Sequence, residues 1–421
     1  MKNRITLLLV LVSAMALNAQ QVNVLFVGNS YTEVNNLPGM VADIAASMGE
    51  DIATASNTPG GCTFMQHCTN QSMELICRGG WDIVVLQEQS QYPSFPQEQV
   101  EREVFPFAAR LIDSVYAHNA CAEPMLYMTW GRKNGDERNA QYFPVLGTYE
   151  GMDSMLCERY TYMAQAYDAA LCPVGRVWRH LRTYHPEIEL YQQDGSHPSV
   201  AGTYAAACAF YTMIFHRDPD SIAHDATLDS GTARTIRQAV HTVVYENLEQ
   251  WQRQKPSVSG TAHADIDGGV MLEIECLNSR EMHCLWGDGA DTVIENPAWH
   301  SIQHTYTDTG RYTITLAVER HCMTDTATME IHIGADSTAT GTERVPTQSI
   351  SIHPNPTAGT ATLTAPHGAT IRLATASGKV IWEKGNASGI VTVPLDKCHK
   401  GAYIVTVETE DGTSSAVVIR E

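Results

Sequence analysis

A chain of 421 residues with 43% hydrophobic and 18% charged residues is long enough for two or three domains and apolar enough to bury real cores. Its formal net charge of −20, from 27 Lys+Arg against 47 Asp+Glu, repels phosphate backbones and anionic lipid faces and so excludes nucleic acid as a partner. Neutral substrates outside the cell suit such a surface better.

Residues 1–20 begin with Lys2 and Arg4, run apolar from Ile5 to Leu17 and exit through Ala14, Ala16 and Ala19. They read as a secretory signal peptide cut after Ala19 or Gln20. No later stretch approaches the roughly 20 apolar residues of a spanning helix, so an exported chain without an integral membrane segment is expected. Eleven cysteines in an exported chain point to disulfides. Cys62 with Cys68 or Cys77, and Cys276 or Cys284 with Cys322, are the expected staples. No Cys-x-x-Cys occurs, and the histidines His67, His180, His185 and His216 lack metal spacing, so neither metal nor cofactor is expected.

From Asn23 to Gln254 strands alternate with helices. The predicted strands are Val24–Val27, Ile52–Ala55, Trp81–Leu86, Glu123–Thr129 and the short extended Cys172–Gly175. The predicted helices are Leu37–Met48, Arg102–His118 (Pro106 in its first turn or breaking it), Gly151–Leu171, Val177–Thr183, Ser199–Phe215 and one capped by Ser230. Near-continuous apolar strands between helices mean a parallel sheet covered on both faces, with sites at the carboxyl ends of its strands. Ser30, Gly60-Gly61, Gln87–Ser90 and Trp130–Asn134 all lie at such ends.

Beyond a linker at Lys255–Thr261 no long helix is predicted. Residues 262–333 read as a small antiparallel sandwich with strands Gly269–Cys276, Glu281–Trp286, His300–Tyr306 and Tyr312–Val318. A second linker, 334–347, leads to an all-β tail from 347 to 421.

A serine hydroxyl becomes nucleophilic when an imidazole takes its proton, and a carboxylate must fix that imidazole's tautomer. Asp194-Gly195-Ser196-His197-Pro198 can supply both partners from one loop, opposite a serine lifted by Gly28-Asn29-Ser30. Together with the glycines after the second strand and the amide-bearing Gln87-Glu88-Gln89-Ser90, these blocks resemble the SGNH (GDSL-like) esterases, over about residues 22–250. The resemblance implies a flavodoxin-like three-layer domain over 21–254. It also implies Ser30 as nucleophile, His197 as general base and acid, and Asp194 as its orienter. Its oxyanion hole would be the Ser30 N–H, the Gly61 N–H (or Gly60) and the Gln89 side chain (or Gln87). Two departures stand out: Asn29-Ser30 replaces the usual Asp-Ser, and the third block lacks its usual glycine and asparagine. Trp130 and Arg132 are candidates for the substrate pocket, Tyr31 and Glu33 for its border, and Glu88 for a structural hydrogen-bonding role.

Trp286-Gly287-Asp288-Gly289 and His304–Tyr312 resemble a PKD-type immunoglobulin-like module, with Trp286 and Tyr312 expected in its core. The tail, through Ile352-His353-Pro354-Asn355-Pro356, Gly359, Gly378-Lys379-Val380 and Gly401-Ala402-Tyr403, is similar to the type IX secretion C-terminal sorting domain. That implies the secretion machinery as a partner and a protein released from, or attached to, the outer surface. The fold class expected is thus α/β followed by two small all-β sandwiches. The function expected is a secreted serine esterase acting on an O-acyl, acetyl, group of a carbohydrate. The alternatives are a lipid or aryl esterase and a non-catalytic surface protein that binds glycan or protein.

Overall fold

The computed structural model describes residues 21–265, 267–334, 338–339, 352–355, 357–375, 379–409 and 412–420. The leader at 1–20, most of the second linker, and Pro356, Ser377, Gly378 and Asp411 of the tail turns lie outside the described residues. The chain divides into a unit ending at Arg253 and a unit from Gln254 to Glu421.

The first unit is built on five parallel strands: β1 Val22–Val27, β2 Ile52–Asn57, β3 Ile83–Leu86, β4 Glu123–Tyr127 and β5 Ala170–Cys172, in the order β2-β1-β3-β4-β5. This is the flavodoxin-like order, in which the chain reverses direction across the sheet beside β1 and opens a crevice at the strand ends. Val24–Val27 and Val85–Leu86 are fully buried, as strands covered on both faces must be. One group of helices packs Leu37–Ser47 against Val200–Phe215, and the latter against Val174–Tyr184 and Ser230–Val243. The other packs Gln71–Arg78 and Tyr149–Tyr167 onto Phe105–His118. Helix Val200–Phe215 is buried from Ala201 to Met213, which explains a sequence apolar on every side. Gly202 lets it approach closely, because a Cβ there would sit 2.4 Å from the Leu190 carbonyl oxygen.

Several local expectations change, among them the cap of the helix Ser230–Val243, which is Asp229 rather than Ser230. The predicted helix Arg102–His118 is two helices, Gln97–Glu103 and Phe105–His118. They break at Val104, which satisfies the proline of the second helix's first turn. The predicted Gly151–Leu171 helix is Tyr149–Tyr167. It stops at Asp168 in the left-handed conformation, and Ala170–Cys172 pairs with Met125–Tyr127 as an edge strand. The supposed linker at Lys255–Thr261 is largely strand, because its alternating small residues pair with the next strand.

In the second unit, β6 Ser257–Ala264, β7 Gly269–Leu277 and β10 Trp299–Thr305 form one sheet. A second holds β8 Glu281–Leu285, β9 Asp291–Glu295, β11 Gly310–Arg320, β12 Met323–Ile333 and β13 Thr338–Ala339. Leu272 and Ile274 from the first sheet and Ile314, Leu316 and Met329 from the second share one core, so the two face each other as a sandwich. Trp286 is buried, donates its indole N–H to Thr292 Oγ1 at 3.0 Å and accepts the Tyr306 hydroxyl on its carbonyl at 2.7 Å. Tyr306 takes the core place expected of Tyr312, which is half-buried against its ring. A third sheet, of β14 Ile352–His353, β15 Thr360–Thr375, β16 Val380–Pro394, β17 Gly401–Thr409 and β18 Gly412–Arg420, encloses a core of its own.

The expected local disulfides do not form: Cys62, Cys68, Cys77, Cys276 and Cys284 are free thiols. Cys62 Sγ meets the Asn70 amide while Cys68 Sγ turns to the Phe107 carbonyl. Cys322, the expected partner of Cys276 or Cys284, is disulfide-bonded to neither of them.

Candidate active site

At the end of β1 the backbone turns sharply through Gly28. A Cβ there would lie 2.5 Å from Thr32 Oγ1 and 2.7 Å from Gln87 Oε1, so only glycine fits. Asn29 is extended, its side-chain oxygen accepts the Tyr31 N–H at 3.1 Å, and a short helix, Ser30–Glu33, begins at Ser30. Gln87, fully buried at the end of β3, holds this turn from beneath. Its Oε1 accepts the Asn29 N–H and the Thr32 hydroxyl, each at 2.9 Å, and its amide donates to Asn29 Oδ1 at 3.0 Å and to the Glu88 carbonyl. His67 supports the same turn, donating from Nε2 to the Gly28 carbonyl at 2.9 Å while Nδ1 meets the Ser72 hydroxyl at 2.7 Å. Burial pulls its pKa down to about 4, so it stays neutral and acts as a strut.

The second half comes from the loop before helix Val200–Phe215. Gly195 is left-handed at φ 64°, its carbonyl accepts from the Lys133 N–H at 2.8 Å, and the His197 carbonyl accepts from the Gln192 N–H at 2.8 Å. Asp194 Oδ1 accepts the Ser196 and His197 backbone N–H groups at 2.9 and 3.0 Å, and Oδ2 lies 2.5 Å from His197 Nδ1. Partial burial raises the Asp194 pKa, but the hydrogen bonds from the His197 ring and the two N–H groups outweigh it and hold the carboxyl below its ordinary value. His197 Nε2 lies 2.9 Å from Ser30 Oγ. With Nδ1–H directed at Asp194, Nε2 is the acceptor facing the serine hydroxyl. Ser30, His197 and Asp194, 167 residues apart at the extremes of the first pair, therefore stand in one hydrogen-bonded line.

Around Ser30 the candidate oxyanion donors separate. Gly61 is exposed and left-handed at φ 69°, in a turn closed by the Cys62 N–H on the Pro59 carbonyl. That loop is tied to the Ser30 turn by Asn29 Nδ2 on the Cys62 carbonyl at 3.0 Å. Among the described residues the N–H groups of Ser30, Gly60 and Gly61 have no protein acceptor. Gln89 is half-buried, its Oε1 accepts the Gln91 N–H at 2.9 Å, and its NH2 has no acceptor among the described residues. Gln87, the alternative donor, has its amide engaged beneath the turn, on Asn29 Oδ1 and the Glu88 carbonyl.

Glu88 is fully buried between these loops, accepting the Phe64 N–H with both oxygens at 3.1 Å and the Gln89 N–H at 2.5 Å. Burial pushes its carboxyl up to about 8 despite those donors, so it is uncharged at neutral pH and opposes no developing oxyanion. The folded state thus retains a proton that the unfolded chain releases near its ordinary glutamate value, and stability falls as pH rises between about 4.5 and 8. Denaturant melts of Glu88→Gln and the parent chain across that window are expected to differ in slope by up to about 1.4 kcal/mol per pH unit. Parallel slopes would contradict a neutral Glu88.

Trp130 does not line a pocket. It is fully buried, stacked between Tyr31 (4.7 Å) and Trp178 (3.7 Å), and its indole N–H donates to the Ser196 carbonyl at 3.1 Å. The indole is apolar enough to sit in the core and uses its one donor to fix the histidine loop. Arg132, 30% exposed in its side chain, bonds Gln91 and, at 3.4 Å, Asp136, joining the loops after β3 and β4. Tyr31 is buried, whereas Glu33 is exposed. Of the supports, Gln87 stood in the third block as the alternative oxyanion donor, whereas the buried His67 belonged to no motif.

Residues 351–420 match the family model of the secretion system C-terminal sorting domain. The third sheet is therefore a sorting module, and it marks the chain for secretion to the cell surface through the machinery that reads it. No curated protein matches the chain. Solved structures similar to it include a DUF4886 family protein from Bacteroides uniformis, at 15% identity and TM-score 0.47, covering 53% of this chain and 94% of that one. A candidate SGNH hydrolase from Slackia heliotrinireducens is similar at 26% identity and TM-score 0.38, covering 46% and 98%. A carbohydrate esterase family 3 structure from Talaromyces cellulolyticus is similar at 13% identity and TM-score 0.34, covering 46% and 97%. No helix of the described residues is long and apolar enough to cross a membrane.

Proposed function

We propose that the chain is a secreted serine esterase that hydrolyses an O-acyl group, in the first instance acetyl, carried by a carbohydrate. One observation carries this reading: the line Ser30 Oγ–His197 Nε2 at 2.9 Å and His197 Nδ1–Asp194 Oδ2 at 2.5 Å, at the carboxyl end of a parallel sheet. Ser30 attacks the ester carbonyl as His197 takes its proton. His197 then returns that proton to the departing sugar hydroxyl, and Asp194 keeps the imidazole in the accepting tautomer. Water, activated by the same imidazole, cleaves the acyl-enzyme. The N–H groups of Ser30 and Gly61 and the Gln89 amide serve the oxyanion. Export to the cell surface and a formal charge of −20 favour a neutral extracellular ester over a phosphorylated or anionic one.

The test uses the full chain beside Ser30→Ala, with p-nitrophenyl acetate, an O-acetylated glycan and a serine-reactive fluorophosphonate. The parent chain is expected to release acetate from the glycan and to carry the phosphonate on Ser30, and the variant to do neither. Labelling without glycan deacetylation would remove the carbohydrate assignment and leave the esterase. An unlabelled, inactive parent chain would remove both.

A further inference from the structure

We propose that Tyr31 is a positioning residue for His197, acting through Ser196. The inference rests on the esterase reading only for its kinetic consequence; its geometry is independent of it. Ser30 and Tyr31 are consecutive, and so are Ser196 and His197. The two dipeptides face each other across the cleft with two rungs. One is Ser30 Oγ to His197 Nε2 at 2.9 Å, the other Tyr31 Oη to Ser196 Oγ at 2.7 Å. The neighbour of the nucleophile thus holds the neighbour of the base.

The reason for such a clamp lies in the loop itself. The side chains of His197 and Asp194 are 33% and 47% exposed, so water competes for the bonds that aim the imidazole. Tyr31, in contrast, is 2% exposed and fixed by stacking on Trp130 at an interplanar angle of 4°. Its ring also meets the His197 ring edge-on at 5.5 Å. Trp130 in turn donates to the Ser196 carbonyl, so Ser196 is gripped at its hydroxyl and at its backbone by stacked aromatic neighbours. At the loop's exit Asn35, from the same nucleophile segment, donates to the Pro198 carbonyl at 3.1 Å and to Thr203 Oγ1 at 2.9 Å. A rigid core element therefore carries the register of a half-exposed catalytic loop. Small displacements of such a base are costly, since reaction demands near-contact alignment.

Tyr31→Phe keeps the ring and its stacking but removes the second rung; Ser196→Ala removes it from the other side and leaves the Trp130 bond to the backbone. Each is expected to lower kcat about tenfold with KM within about twofold, the scale of one lost hydrogen bond in a low-dielectric site. The double variant should be no slower than the slower single one, because both remove the same bond. Fluorophosphonate labelling of Ser30 should slow in parallel. Independently of turnover, the carbon resonances of the His197 ring should broaden by exchange in Tyr31→Phe and remain sharp in the parent chain. Unchanged kcat, or losses that multiply, would overturn the clamp. If the parent chain proves inactive and unlabelled, the esterase reading fails and the ring resonances alone decide: equal sharpness in parent and variant overturns it.

Discussion

Alanine at His197 is expected to reduce kcat by roughly 10⁴–10⁶-fold while KM stays close to that of the parent chain. The serine hydroxyl keeps its proton at neutral pH, and among the described residues His197 Nε2 is the acceptor bonded to Ser30 Oγ. Asp194→Asn should cost about 10⁴-fold for a different reason. The Asn oxygen can still accept the Ser196 and His197 N–H groups that now bond Oδ1, so the loop keeps its shape. The amide NH2 then faces His197 Nδ1 and draws the proton to Nε2, which can no longer accept from serine. Steady-state kinetics on the acetyl ester, with Ser30→Ala/His197→Ala made beside the single variants, checks both. The double variant should be no slower than the slower single one, and independent, multiplying losses would refute a common mechanism.

The next largest effect separates the two glutamines of the third block. Gln89→Ala is expected to lower kcat about 10²–10³-fold with an unchanged denaturation midpoint, as the loss of one oxyanion donor does. Gln87→Ala should instead unfold the chain at lower denaturant. It leaves the Asn29 N–H and the Thr32 hydroxyl without a buried partner, at about 1–3 kcal/mol for each group that water cannot reach, and takes from Asn29 Oδ1 one of its two donors, the Tyr31 N–H remaining. Kinetics and urea melts on the two variants give opposite patterns. A stable but inactive Gln87→Ala would exchange the roles.

Much of this site is written in short stretches. The apolar run into Gly28-Asn29-Ser30 announces a buried strand and its turn, because burial on both faces and the turn's steric needs act on adjacent residues. The Asp194–His197 pair is legible for the same reason: three residues and a glycine suffice to bring a carboxylate back onto an imidazole. Trp130 shows the limit. A tryptophan after a strand end reads equally as pocket lining or as core, and its burial depends on Trp178 and Tyr31 arriving from elsewhere. Glu88 was readable as a hydrogen-bonding residue, but its neutral state follows from complete burial, which no local pattern encodes.

By itself the sequence determined the alternation of strands and helices, the Ser30 turn, the Asp194–His197 loop and the β-rich second half. All of these rest on periodicity and on contacts within a few residues. The tertiary structure decided which glutamine supports the turn and which has an amide with no acceptor among the described residues, a distinction made by contacts 58 residues apart. It decided likewise that Tyr31 meets Ser196 across 165 residues and that nearby cysteines turn away from one another. Such outcomes depend on which side chains the sheet order brings to one strand edge, and that order is a property of the packed core as a whole.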